Sequence, residues 1–142
     1  MGALKKWGLL KEARIVVFRG DDPAATYIRG RISNFVPEQA VPSHQGPDSQ
    51  KIIPDLPIVT MAGTGSLAFG HIHYAMVSTR RAVTKRGVID SLVAAARISF
   101  VRFERGIGSA DNIAQWMSDL LRPRAEMWEV AVWEDGISTD RD

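Results

Sequence analysis

Ala13-Arg14-Ile15-Val16-Val17-Phe18-Arg19 is dense in β-branched and aromatic residues, the composition of a β-strand. Residues 26–32, Thr-Tyr-Ile-Arg-Gly-Arg-Ile, alternate apolar with basic side chains. Gly20-Asp21-Asp22-Pro23 lies between the two runs as a turn signal, so the pair predicts a β-hairpin with one wet face. Residues 36–57 then bring Pro37, Pro42, Pro47, Pro54 and Pro57 together with Gly46. Proline removes a backbone donor and fixes φ, which forbids a long helix or a central strand there and predicts a long loop.

Strand character returns at residues 57–61, and after the small-residue turn Ala62-Gly63-Thr64-Gly65-Ser66 a long strand is expected over 67–79. A basic turn over 80–86 closes at Gly87. Beyond it, Asp90 or Ser91 is placed to cap a helix whose Leu92, Ala95, Ala96, Ser99, Phe100 and Phe103 fall at helical spacing up to Gly106. Ser109 is placed to cap a second helix, with Asn112 where a full capping box has Glu or Gln. That helix carries Ile113, Trp116, Met117, Leu120 and Leu121 on one face and stops before Pro123. Residues 127–134 alternate as a final strand. Two strand pairs and two helices predict an α+β fold, an antiparallel sheet with two consecutive helices packed on one face. At 142 residues the chain is long enough for one core, so residues 1–142 are expected to form a single domain.

Composition narrows the function. A hydrophobic fraction of 45% with 24% charged residues fits a globular protein, and 18 basic against 16 acidic residues leave a net charge of only +2. This is no massively basic nucleic-acid binder. Cysteine is absent, which excludes disulfides, thiolate metal sites and a thiol nucleophile within this chain. Any transition metal would need imidazole and carboxylate ligands. No apolar run approaches the roughly 20 residues of a membrane span, and the apolar stretch near the N-terminus is too short for a signal peptide. Lys6 stands where a myristoylation signal has Ser or Thr, so a cytoplasmic protein without a membrane partner is expected.

The three histidines are His44, His71 and His73. A strand's period of two points His71 and His73 to one face, where two imidazoles can share a metal if a third ligand joins them. The same pattern also fits ordinary polar residues on a strand. Glu134 and Asp135 follow Trp133 at a strand end, where a carboxylate beside an indole could hold a flat heterocycle; a solvated strand end fits equally. Arg80, Arg81, Lys85 and Arg86 form the densest basic cluster, but no RNA-binding motif or aromatic platform accompanies it, which argues against nucleic acid. Residues 62–66 lack the lysine of a phosphate-binding loop, and no helix pattern follows them.

Taken in order, His44, His71-Ile72-His73, Gly87-Val88-Ile89-Asp90, Gly108-Ser109-Ala110-Asp111-Asn112-Ile113-Ala114 and Val132-Trp133-Glu134-Asp135 resemble the motifs of the 6-pyruvoyl and 6-carboxy tetrahydropterin synthases, enzymes of the tunnelling fold. The resemblance implies zinc held by His44, His71 and His73, and a lyase acting on a dihydropterin triphosphate or related heterocycle. It further implies Glu134 and Asp111 as substrate-binding residues, Asp90 and Tyr74 as catalytic candidates, and a homo-oligomer. The family's catalytic cysteine has no counterpart here. An alternative expectation is a non-catalytic ring-forming assembly or virion structural protein, with Trp128 and Trp133 at subunit contacts; a third is an RNA-associated factor using the basic turn.

Overall fold

The computed structural model describes residues 8–20, 35–65, 67 and 70–140. They fall into two compact units, one up to Arg80 and one from Arg81 onward. The fold is α+β, as expected.

The first unit is built on strands β1 (Leu10–Arg19), β2 (Val36–Pro37), β3 (Ile58–Thr64) and β4 (His71–Thr79), in the spatial order β2-β3-β1-β4. β4 runs antiparallel to β1, and β2 antiparallel to β3, but β1 and β3 are parallel. Parallel neighbours cannot be joined by a tight turn and need a crossover of a dozen or more residues. The proline-rich segment supplies part of it. Expected as loop throughout, it contains an eight-residue helix, α1 (Gln45–Ile52). Pro47 is tolerated because it sits in the first turn, where its missing N–H would have no helical partner. β2 also carries a proline, Pro37, and is an edge strand, the position that tolerates it.

Residues 26–32, expected to form a hairpin with β1, lie outside the described residues; both edges of β1 are taken by β3 and β4. β4 begins at His71, after Gly70 turns the chain at φ 64°, so it is shorter than the expected strand. Register then sorts the side chains. Ala13, Ile15, Val17 and Arg19 of β1 share a face with Ile58, Thr60, Ala62 and Thr64 of β3 and with Val77, Ala75, His73 and His71 of β4. Leu9, Leu10, Ala13, Leu56 and Ile58 form the core at one end of this sheet, with Ile15, Ile53 and Val77 packed against them.

The second unit holds α2 (Lys85–Val93), β5 (Ile98–Val101), α3 (Ala110–Asp119) and β6 (Val130–Trp133), with β5 and β6 parallel. The first helix starts earlier and ends earlier than its apolar spacing suggests. Thr84 caps it, accepting from the Gly87 N–H at 3.2 Å, so Asp90 and Ser91 lie inside the helix. Ile98-Ser99-Phe100-Val101 leaves the helical pattern because β-branched and aromatic residues pair with Val130-Ala131-Val132-Trp133. A strand therefore stands between the two helices.

α3 begins as expected. Ser109 Oγ accepts from the Asn112 N–H at 3.1 Å, and Asn112 Oδ1 reaches back to the Gly108 N–H at 3.1 Å, one residue upstream of a true capping box. Among the described residues no helix is long and apolar enough to cross a membrane.

Candidate functional site

Arg19 ends β1 on the face that carries the H-x-H pair, directly across the strands from His71, while Val17 lies opposite His73. The two imidazoles stand 6.5 Å apart, nearly parallel at 14°. His71 Nδ1 is 2.9 Å from the Gly70 carbonyl oxygen, which can only accept. Neutral His71 therefore carries its proton on Nδ1 and leaves Nε2 as a base. His73 is held below the ordinary histidine range, first by burial and then by repulsion from His71.

Glu38 completes the cluster. Its backbone N–H donates to the Ala62 carbonyl at 2.8 Å, anchoring the residue beside β3. Its carboxylate takes Arg19 Nη2 at 3.2 Å through one oxygen and stands 3.6 Å from His44 Nδ1 through the other. Arg19 Nε is buried with no hydrogen-bond partner among the described residues. A buried guanidinium N–H left unpaired is costly, and an acceptor would relieve that cost.

His44 is positioned by a buried polar knot at the start of α1. Thr60 Oγ1 accepts from the Gly46 N–H at 2.9 Å and from Ser43 Oγ at 2.8 Å, and donates to the Ser43 carbonyl at 2.9 Å. All three valences of the hydroxyl are used. Gly46 fits closely here: a Cβ would sit 3.0 Å from Thr60 Oγ1, so the hydroxyl would have to give way.

The site residues expected from sequence divide between the units. His44, His71, His73 and Tyr74 belong to the first; Asp90, Asp111 and Glu134 belong to the second. Alternation puts Tyr74 on the face opposite the histidines, edge-on to Phe18 at 5.7 Å. Asp90 pairs with Arg86 Nε at 2.9 Å within α2, and Asp111 lies exposed in the first turn of α3. The Glu134 carboxylate is engaged by Arg102, through Nε at 2.8 Å and Nη2 at 3.0 Å, and Asp135 accepts from the Phe103 N–H at 2.9 Å. Trp133 Nε1 donates inward to the Ile107 carbonyl at 3.0 Å, and Arg122 lies over Trp128 at 5.2 Å.

Sequence reasoning missed Arg19 and Glu38. The signal was present for Arg19, since a cation at the end of an apolar strand, in phase with its inward residues, has to find a polar site.

The sheet and its crossover helix form a mixed α+β fold. Aspartate semialdehyde dehydrogenase II of Vibrio cholerae, solved in complex with ASA, superposes with a TM-score of 0.52 at 18% identity, over 70% of this chain and 41% of that one. In sequence the chain is similar to glyceraldehyde-3-phosphate dehydrogenases of archaeal species. It is 37% identical to that of Pyrobaculum islandicum over 131 residues, which is 91% of this chain and 38% of the relative. It is 31% identical to that of Halobacterium salinarum over 137 residues, 96% of this chain and 41% of the relative. The protein of Thermococcus kodakarensis matches at 33% over 124 residues, 87% of this chain and 36% of the relative. The chain thus spans about two fifths of the length of these curated relatives. No protein-family model matches the sequence.

These similarities overturn the tetrahydropterin synthase resemblance and with it the lyase and the alternative of a non-catalytic ring-forming or virion structural protein. The zinc expectation falls on geometry as well, because among the described residues no three metal-ligating side chains come together. His44 is joined to Glu38 instead of completing the H-x-H pair with a metal.

Proposed function

We propose that this chain carries the acid–base and anion-binding part of a dehydrogenase acting on a phosphorylated aldehyde. The observation that carries the proposal is the pairing of Arg19, its Nε buried and unpartnered among the described residues, with His71 across β1 and β4. The archaeal relatives are named for glyceraldehyde 3-phosphate, a substrate that combines an anion with an aldehyde.

An aldehyde carbon gives up hydride only after a nucleophile has added to it, and the hydroxyl of that adduct then needs a base. His73, its pKa lowered by partial burial and by its neighbour His71, suits that role; His71 Nε2 stands beside it. Arg19, its Nη2 held by Glu38, offers Nε to a phosphate oxygen. The chain has no cysteine, so a thiol nucleophile would have to come from outside it.

A dehydrogenase implies a nicotinamide cofactor, and these residues do not fit one. Gly63-Thr64-Gly65 is glycine-containing, as dinucleotide-binding loops are, but Gly63 and Thr64 are still paired in β3, and the next element is the strand β4 from His71 where such a loop would lead into a helix. No step is therefore assigned to the cofactor.

The test is to titrate the isotopically labelled chain with glyceraldehyde 3-phosphate and, separately, with glyceraldehyde, following the Arg19, His71 and His73 resonances. Saturable shifts with the phosphorylated compound alone, lost in Arg19→Gln, are expected. Equal responses to both compounds, or none at these residues, would refute the assignment.

A further inference from the structure

The Arg19–Glu38 pair is built across an intervening strand. β2 and β1 flank β3 on opposite sides. Neighbouring strands are about 4.8 Å apart, so the two flanking backbones are separated by roughly 10 Å. Glu38 follows β2 and extends its ladder by one bond, the N–H donating to the Ala62 carbonyl. Arg19 pairs with Thr64 of β3 and shares a sheet face with Ala62. The two long side chains therefore meet over β3, where Nη2 of one lies 3.2 Å from Oε2 of the other.

Glu38 has the wrong charge to hold an anion itself, and beside a phosphate it repels. Yet among the described residues it is the one acceptor that engages the Arg19 guanidinium, whose Nε is buried without a partner. Only 25% of the Arg19 side chain and 24% of the Glu38 side chain are exposed. An arginine so enclosed that loses its last acceptor is left with unpaired N–H groups, and its long flexible stem lets it swing out to water instead. We propose that Glu38 is a positioning residue, which touches no ligand but keeps the Arg19 guanidinium over the sheet by accepting from Nη2. The inference rests on the anion-binding role proposed for Arg19.

Glu38 is itself held from two sides. Its backbone is tied to β3, and its second carboxylate oxygen faces His44 Nδ1 at 3.6 Å. His44 leads into the polar knot in which Thr60 joins Ser43 to Gly46. The carboxylate is thus fixed before any ligand arrives, and ordering a long side chain in advance removes part of the cost of binding. Charge and position act with opposite signs here. If the negative charge of Glu38 dominated, removing it would tighten anion binding. Because its hold on Arg19 dominates, removing it weakens binding although a repelling charge has gone.

The experiment titrates isotopically labelled wild-type, Glu38→Ala and Glu38→Gln chains with glyceraldehyde 3-phosphate, reading affinity from the His71 resonances and side-chain order from the heteronuclear NOE of the Arg19 Nε–H. Glu38→Ala should bind at least about fivefold more weakly, within the range that ordering one long side chain costs, and its Arg19 Nε–H should become mobile. Glutamine keeps an acceptor for Nη2 and drops the charge, so Glu38→Gln should bind at least as tightly as wild type with Arg19 still ordered. This variant decides the matter if the alanine one fails to fold. On an Arg19→Gln background, Glu38→Ala should weaken binding no further, because Glu38 acts only through Arg19. An alanine variant that binds as tightly as wild type, or a glutamine variant that binds more weakly than wild type with Arg19 mobile, would overturn the positioning role and leave Arg19 as the anion ligand. A wild-type chain in which glyceraldehyde 3-phosphate moves neither Arg19 nor His71 would overturn the proposed function, and this inference with it.

Discussion

Replacing Thr60 by valine would remove one oxygen from the molecule and leave its shape almost unchanged. Thr60 is 1% exposed, and its hydroxyl joins β3 to Ser43 and to the first turn of α1. The variant loses three hydrogen bonds, but the three are not equally exclusive. The Gly46 N–H keeps a longer bond to the Ser43 carbonyl at 3.2 Å, and Ser43 Oγ can turn its single hydrogen to Gln45 Oε1, 2.6 Å away. What remains is a weakened buried donor and a Ser43 carbonyl that has lost its hydroxyl donor. Net hydrogen bonds contribute about 1 kcal/mol each and an orphaned buried group costs about 1–3 kcal/mol, which places the loss near 2–3 kcal/mol.

Denaturant unfolding of Thr60→Val against wild type checks that magnitude, with Thr60→Ser as the control that restores the oxygen and removes only a methyl group. Amide exchange at Gly46 gives the local counterpart, since its N–H should exchange faster in the valine variant. Because His44 leads into the same turn, the Glu38–His44 approach should loosen in parallel. A valine variant within about 0.5 kcal/mol of wild type, or a serine variant as unstable as the valine one, would refute the assignment of the hydroxyl as the anchor of α1.

The His73 imidazole should titrate below the ordinary value of 6.5, read from its Cε1–H resonance. Since the folded protein binds that proton less readily than the unfolded chain, the associated stability is present above about pH 6.5 and is lost as pH falls through the folded midpoint. His73→Asn should flatten that part of the stability profile, and a midpoint above 6.5 would contradict the burial and His71 repulsion assigned to it. Ser109→Ala should cost about 1 kcal/mol in thermal or denaturant unfolding, with Ser109→Asn largely preserving the cap; an alanine variant indistinguishable from wild type would remove Ser109 from that role.

Period and punctuation were readable where they acted locally. Ser109 and Pro123 bound a helix because a side-chain oxygen and a missing N–H act within one turn, and Ile15 to Phe18 form a strand because their branching suits it. Partners at long range were not readable. Ala95, Ser99 and Phe103 keep helical spacing, yet residues 98–101 become β5 because a distant strand, Val130–Trp133, supplies the better set of contacts. In the same way, nothing local distinguishes an antiparallel hairpin from the parallel pairing of β1 with β3. The H-x-H pair was visible as two residues sharing a face, but its chemistry depended on Arg19 and Glu38. These reach it through register and through a crossover, and no local spacing encodes either. The pterin motifs misled because each was short: Gly87 and Asp90 fall inside one helix, and Glu134 is bound to Arg102.

The alternation of β1 therefore sets two requirements on a single strand. Odd positions run from the core residue Ala13 to Arg19, so the core fixes the cation's height along the strand and delivers it opposite His71. Even positions run from Arg14 through Val16 to Phe18 and leave an apolar face. A one-residue slip of register would exchange the two sets, placing Arg14 where Ala13 or Ile15 now packs and moving Arg19 away from the histidines. The Arg19–His71 pairing and the apolar face thus depend on the same register. A shift of β1 cannot alter one without altering the other, whereas substitutions at single even positions can change the apolar face and leave the Arg19–His71 pairing in place.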